Sequence, residues 1–201
     1  ARWFPAVART SPAGSTPAAD VDRRQPEHPH LGIVGALDAQ LAIVCGRNKA
    51  LRTALQAVAW NQQTHIYGFV DNIEVMMRAA DVLITKAGPG TIAEAAISGL
   101  PMILSDAIPY QESPNIGFVV NHQAGVFEPD PEGIAALLAR WFSPGDTTLR
   151  TLAENTRRIA YPNATFDIAS EIAAMCAQPR VSVSLEKPKV ADRLFSLIDR
   201  L

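Results

Sequence analysis

The chain has 201 residues, 48% of them hydrophobic, and a formal net charge of −2. That length and apolar content bury one substantial core and leave little room for a second full domain, and the nearly even charge excludes an electrostatic case for nucleic acid as the main partner. No stretch reaches the roughly 18 to 20 uninterrupted apolar residues of a membrane span and no signal-like apolar region opens the chain, so the expectation is a cytoplasmic protein, at most peripheral on the inner face of a membrane.

Residues 1–30 are rich in Pro, Ala, Ser and charge, and Pro12, Pro17, Pro26 and Pro29 interrupt any regular element. They read as a disordered or loosely attached leader, which leaves 31–201 as the folded domain. His30 to Gly35 suggests a first strand with a glycine turn, yet only Ala36 to Gln40 separate it from the next apolar run. A parallel crossover needs about a dozen residues, so the first βα unit is expected to be incomplete.

From there apolar runs alternate with helical patterns. Strands are predicted at Leu41 to Cys45, His65 to Phe69, Val82 to Thr85, Met102 to Ser105 and Gly125 to Phe127, with helices over 49–60, 72–79, 91–98 and 114–121. Near-continuous apolar strands separated by helices argue an α/β fold, a Rossmann-like parallel sheet with helices on both faces. After Pro131 the pattern is helical only, over 131–141, 146–159, 165–176 and 190–200, and these helices would wrap the sheet's edge or cross to another domain. Cys45 lies in a strand and Cys176 in a helix; two cysteines are too few for a disulfide framework, and both read as buried structural thiols. No zinc-type Cys/His spacing occurs.

The chemistry gathers at the predicted carboxyl ends of the strands, where a doubly wound sheet binds its ligands. Asp81 to Thr85 runs into Lys86-Ala87-Gly88-Pro89-Gly90-Thr91, followed by the Ala-rich stretch containing Glu94. A strand that stops at Gly-Pro-Gly and restarts as a helix leaves free N–H groups for an anion. Thr91 can cap that helix, Lys86 can neutralise a phosphate, and Glu94 on the first turn can take both hydroxyls of a ribose. The same residues also read as a bare turn closed by a Thr91–Glu94 capping box. After the next strand, the polar run Ser105 to Asn115 offers Gln111 and Glu112 to sugar hydroxyls, or forms a surface loop in which Asn115 caps a helix. Gly68-Phe69-Val70-Asp71-Asn72 and Cys45-Gly46-Arg47-Asn48 end the two earlier strands, with Phe69 and Val70 suited to a planar base and Gly46 and Arg47 to a phosphate or base.

These segments, with Gly99-Leu100-Pro101 and Ile108 to Asn115, resemble the C-terminal half of the monogalactosyldiacylglycerol synthase and processive diacylglycerol glucosyltransferase family, over about residues 41–130. That family is related to the bacterial UDP-N-acetylglucosamine transferase of lipid II synthesis. The resemblance implies the C-terminal, donor-binding domain of a two-domain GT-B glycosyltransferase, metal-independent and without a cofactor, its UDP-sugar being a substrate. It implies Phe69 and Val70 at uracil, Gly88, Gly90 and Thr91 at the diphosphate, Glu94 at the ribose, and Gln111 and Glu112 at the donor sugar. It implies inverting transfer of galactose or glucose to diacylglycerol. The acceptor site and a histidine base belong to the family's N-terminal domain, and none of His28, His30, His65 or His122 lies in a matching motif. The chain is therefore expected to be a fragment or truncated product that keeps much of a donor site and lacks the base. A catalytically incomplete nucleotide-binding or interaction module is the competing expectation, and UDP-N-acetylglucosamine transfer or 2-epimerisation on the same fold is a further one.

Overall fold

The computed structural model describes residues 6–10, 39–60 and 63–177. Among these, the residues up to Pro162 belong to one compact unit and those from Asn163 onward to a second. In the first, six strands form one sheet: β1 (Ala6–Thr10), β2 (Ala39–Val44), β3 (Thr64–Tyr67), β4 (Val82–Lys86), β5 (Met102–Asp106) and β6 (Gly125–Phe127), in the order β3-β2-β1-β4-β5-β6. The pairs β2–β3, β4–β5 and β5–β6 are parallel, as the apolar runs predict.

The central strand departs from the sequence reading. Ala6–Thr10 falls within the stretch read as a leader, yet it pairs antiparallel with both β2 and β4. Between those two strands lie two rows of backbone N–H and C=O groups that require partners, and a five-residue segment is long enough to supply them. Antiparallel neighbours do not require the crossover helix that a parallel pair needs, so a reversed segment can pair with both strands. Because Ala6 sits opposite Ile43 and Ile84 while Thr10 sits opposite Ala39, β1 ends at the edge away from the carboxyl ends of its neighbours. The suggested strand at 30–35, the remaining leader residues and the predicted helix over 190–200 lie outside the described residues.

Helices α1 (Lys49–Gln56), α2 (Ile73–Arg78), α3 (Pro89–Ser98), α4 (Ser113–Asn121), α5 (Pro131–Trp141) and α6 (Thr148–Arg158) complete the first unit. Alternate residues of each strand enter opposite layers, because successive side chains of a strand point to opposite faces. Val82, Ile84 and Ile103 join Leu41, Ile43 and Leu55 under Ile134, Leu138 and Trp141 of α5. Leu83, Met102 and Leu104 join Met77, Ile92, Ala95 and Val119 on the other side. The helices predicted after Pro131 thus include two that close the core, since α6 gives Leu152 to the first layer and is followed by Ile159 in the second. The Thr156 hydroxyl is fully buried and lies 2.9 Å from the Ala124 carbonyl oxygen and 2.7 Å from that of Leu152, to which it donates.

In the second unit, α7 (Ala164–Ala177) has no buried residue, and Phe166, Ile168, Ile172 and Met175 are exposed. Cys176 on this helix is exposed as well, which corrects the expectation of a buried thiol; apolar neighbours in sequence do not bury a residue unless a packing partner covers that face. Cys45 is fully buried as expected, and burial pushes its thiol above the ordinary value, so it remains protonated and unreactive. Among the described residues no helix is long and apolar enough to cross a membrane.

Candidate functional site

The carboxyl ends of β2, β3, β4 and β5 carry all twelve residues singled out in the sequence. The strand order reverses at β1, where a doubly wound sheet opens its crevice. Two groups form there, and since β1 separates β2 from β4, their strands stand about 10 Å apart at ordinary sheet spacing.

The first group follows β2 and β3. Gly46 takes a left-handed φ of +56°, which turns the chain sharply into Asn48, whose side chain caps α1 by accepting from the Leu51 N–H at 3.0 Å. That turn sets Arg47 on the surface with its guanidinium carbon 5.2 Å from the ring centre of Phe69. Phe69 keeps 67% of its surface exposed, so it is a platform and no part of the core. Val70 beside it is half-buried.

The second group follows β4 and β5. The helix after β4 begins earlier than the sequence reading put it: Gly88 is the N-cap, extended at φ −72° and ψ 129°, and α3 starts at Pro89. Proline at the first helical position has its φ already set and no N–H to leave unpaired, so Gly-Pro-Gly is the start of the helix as much as its turn. Thr91 is consequently the third helical residue and Glu94 the sixth, on the second turn, exposed. The capping box is therefore not formed, and no side chain caps the first turn. The Ile92 N–H bonds the Gly88 carbonyl oxygen at 3.0 Å and Pro89 has no N–H, so the first-turn donors without a side-chain cap are those of Gly90 and Thr91, and the surroundings of Gly90 are open.

Beside that terminus the Lys86 ammonium donates to Glu112 Oε1 at 2.6 Å, and the Ile108 N–H donates to Glu112 Oε2 at 2.9 Å. Glu112 was expected as an accessible sugar ligand; in the structure it is 3% exposed with both oxygens engaged inside the chain. The Lys86 hydrogen bond, with that of Ile108 second, holds its carboxyl below the ordinary value of 4.5. Gln111 and Tyr110 stand on the surface, Tyr110 at a φ of +65° that a non-glycine residue rarely adopts.

Asn115, read as a helix cap, lies inside α4, whose N-cap is Glu112. Its side-chain amide donates to the Ala87 carbonyl oxygen at 2.9 Å and ties α4 to the chain entering α3. Sequence reasoning missed this tie, because nothing local signals a bond across 28 positions. A cavity of about 340 Å³ between Phe118, His122, Asn155 and Tyr161 opens at the other end of α4, remote from these groups.

The folded carboxyl of Glu112 ionises more readily than a free one, so its stabilisation is complete above about pH 4.5 and is lost as the pH falls through the depressed value. Denaturant titrations from pH 7 to pH 3 should therefore give Glu112→Gln a flatter acid limb, with about 1 kcal/mol lost at pH 7. Parallel limbs for the two proteins would show that Glu112 titrates normally.

Residues 13–133 match the glycosyltransferase family 28 C-terminal domain. The chain is 48% identical over 140 residues to the probable monogalactosyldiacylglycerol synthase 2, chloroplastic, of Oryza sativa subsp. japonica, covering 70% of this chain and 30% of that protein. It is 44% identical over 147 residues to monogalactosyldiacylglycerol synthase 2, chloroplastic, of Arabidopsis thaliana, covering 72% of this chain and 31% of that one. The chain thus spans about three-tenths of the length of these relatives. Its fold matches crystal structures of MurG from Acinetobacter baumannii (TM-score 0.58, 21% identity, 71% of this chain and 44% of that one) and of the glycosyltransferase VinC in complex with dTDP (0.52, 12%, 73% and 37%). The family match spans more than half of the chain, including the strand ends and the Gly-Pro-Gly helix start, and this chain belongs to the glycosyltransferase family 28 C-terminal domain family.

Proposed function

We propose that the chain is the donor-binding half of a hexosyltransferase that moves galactose or glucose from a UDP-sugar to diacylglycerol with inversion. The observation that carries this reading is the uncapped N-terminus of α3 beside Lys86, in a chain 48% identical to a probable monogalactosyldiacylglycerol synthase. In this reading the uracil stacks at Phe69 and Val70, with Gly46 and Arg47 beside it. The diphosphate lies against Gly88, Pro89, Gly90 and Thr91 with Lys86 at its flank. Glu94 takes the ribose hydroxyls and Gln111 those of the sugar.

The acceptor oxygen attacks the anomeric carbon from the face opposite the diphosphate, and the bond from that carbon to the diphosphate oxygen breaks. The electron pair leaves with UDP, and the hydroxyl proton passes to a base that the family resemblance places in an N-terminal domain. Charge growing on the leaving oxygen meets the helix N–H groups and the Lys86 ammonium, fixed donors that need no reorganisation as the bond breaks. Neither role requires a metal, so EDTA is expected to leave UDP affinity unchanged. Diacylglycerol resides in a bilayer, which fits a peripheral position at a membrane face.

Calorimetric titration tests this. UDP should bind the chain, and Glu94→Ala should weaken it about tenfold, the value of one or two charge-assisted hydrogen bonds. Inorganic pyrophosphate, which has no ribose, should bind both proteins equally. A wild-type chain that ignores UDP sinks the reading. A chain that binds UDP-galactose but transfers nothing, even when combined with the N-terminal domain of a relative, favours the nucleotide-binding module instead.

A further inference from the structure

We propose that Glu112 is a positioning residue for the diphosphate: through a buried ion pair it sets where the Lys86 ammonium stands at the mouth of α3. This rests on the donor-binding reading and departs from the resemblance, which puts Glu112 on the sugar.

The geometry is one-sided. The Glu112 side chain is 4% exposed and that of Lys86 38%, so an incoming anion meets the ammonium before the carboxylate. Both carboxylate oxygens already accept a hydrogen bond, one from Lys86 and one from the Ile108 N–H, and burial of the side chain leaves little access to their remaining lone pairs for a sugar hydroxyl. The ammonium has three donors and gives one to Glu112, leaving two for a ligand. The pair lies against the helix cap: a Cβ placed on Gly88 stands 3.8 Å from Glu112 Oε1 and 4.0 Å from Lys86 Nζ. A lysine stem has four rotatable bonds, and an unheld ammonium spends little time in any one place. Glu112 removes that freedom before the ligand arrives, which is preorganisation. Its own negative charge would repel a diphosphate, and Lys86 cancels it.

The cancellation gives an expectation with a definite sign. Lys86→Ala leaves a buried, unpaired carboxylate next to the anion seat, so it should weaken UDP about a hundredfold. Lys86→Ala combined with Glu112→Gln removes both charges and should recover about tenfold of that loss. Glu112→Gln alone should weaken UDP and UDP-galactose by the same factor, about fivefold, and Glu112→Asp should restore part of it. Melting temperatures at pH 7 distinguish a folded variant from a lost one, and Glu112→Gln keeps the volume of the buried side chain. Two results overturn the proposal: a Glu112→Gln variant that weakens UDP-galactose far more than UDP, or a double variant no better than Lys86→Ala. If the wild-type chain binds neither ligand, the donor-binding reading falls first and the inference with it.

Discussion

Replacing Gly90 with Asp should nearly abolish UDP binding while making the protein more stable. The two effects have opposite signs because they act on different charges. Gly90 is the second residue of α3, is exposed, has no left-handed φ, and has nothing within 4 Å of the place a Cβ would occupy. A side chain therefore fits without strain. Removing a glycine from a helix gains about 0.5–1 kcal/mol, and a carboxylate in the first turn gains a further 0.3–1 kcal/mol or so from the helix dipole. The same carboxylate occupies the seat proposed for the diphosphate. Two unit negative charges about 5 Å apart at an effective dielectric near 20 repel by about 3 kcal/mol, and the diphosphate carries more than one. Even after screening by salt, a loss of at least about thirtyfold is expected. Calorimetry measures the binding and thermal unfolding the stability. Gly90→Ala is the uncharged comparison: it should gain the glycine part of the stability and lose far less UDP affinity than Gly90→Asp, the difference between the two being the charge. Gly90→Asp binding UDP within a few-fold of wild type would place the diphosphate elsewhere.

Much of this arrangement was legible in the sequence, for reasons specific to each element. Val82 to Ile84 and Met102 to Leu104 are apolar without alternation because both faces of those strands are buried, and such runs announce a sheet covered by helices on each side. The Gly-Pro-Gly turn was legible because its residue types have few other uses after a strand. The family resemblance, carried by the same strand-end motifs, agrees with the domain match over residues 13–133. β1 was not legible. Its five residues have no period of their own, and they become a strand because two neighbours present unpaired edges. The side of the cleft on which Glu112 lies was not legible either. In Tyr110-Gln111-Glu112-Ser113 all four residues are polar or amphipathic, and only the turn at Tyr110 and the ammonium of Lys86 make the third of them the buried one. Glu94 moved to the second turn for a similar reason, since Pro89 nucleates the helix two residues before the threonine that looked like its cap.

Gly125 offers the largest expected loss of stability. It opens β6, a three-residue edge strand, and pairs with Met102 of β5. Its φ is not left-handed, so the requirement for glycine comes from space and not from backbone conformation. A Cβ built there falls on the Met102 carbonyl oxygen and within 3.0 Å of the carbonyl carbon and Cβ of the same residue. Two of those atoms are backbone of β5, which is buried on both faces and cannot give way, so β6 must move. Moving it stretches the bond from the Met102 N–H to the Ala124 carbonyl oxygen, 3.4 Å long already, and the bond from Glu128 N–H to the Leu104 carbonyl oxygen. It also draws the Ala124 carbonyl away from the Thr156 hydroxyl, a fully buried group in the contact between α6 and the sheet. Overpacking costs about 1–3 kcal/mol and a weakened buried hydrogen bond about 1 kcal/mol more, so Gly125→Ala should lose roughly 2–4 kcal/mol in denaturant titration. The residues proposed to hold the donor follow β2 to β5 and none follows β6, so the fraction that remains folded at low temperature should bind UDP with unchanged affinity. A Gly125→Ala protein as stable as the wild type would mean that β6 shifts along β5 freely, and that the register between Met102 and Gly125 is not what anchors this edge of the sheet.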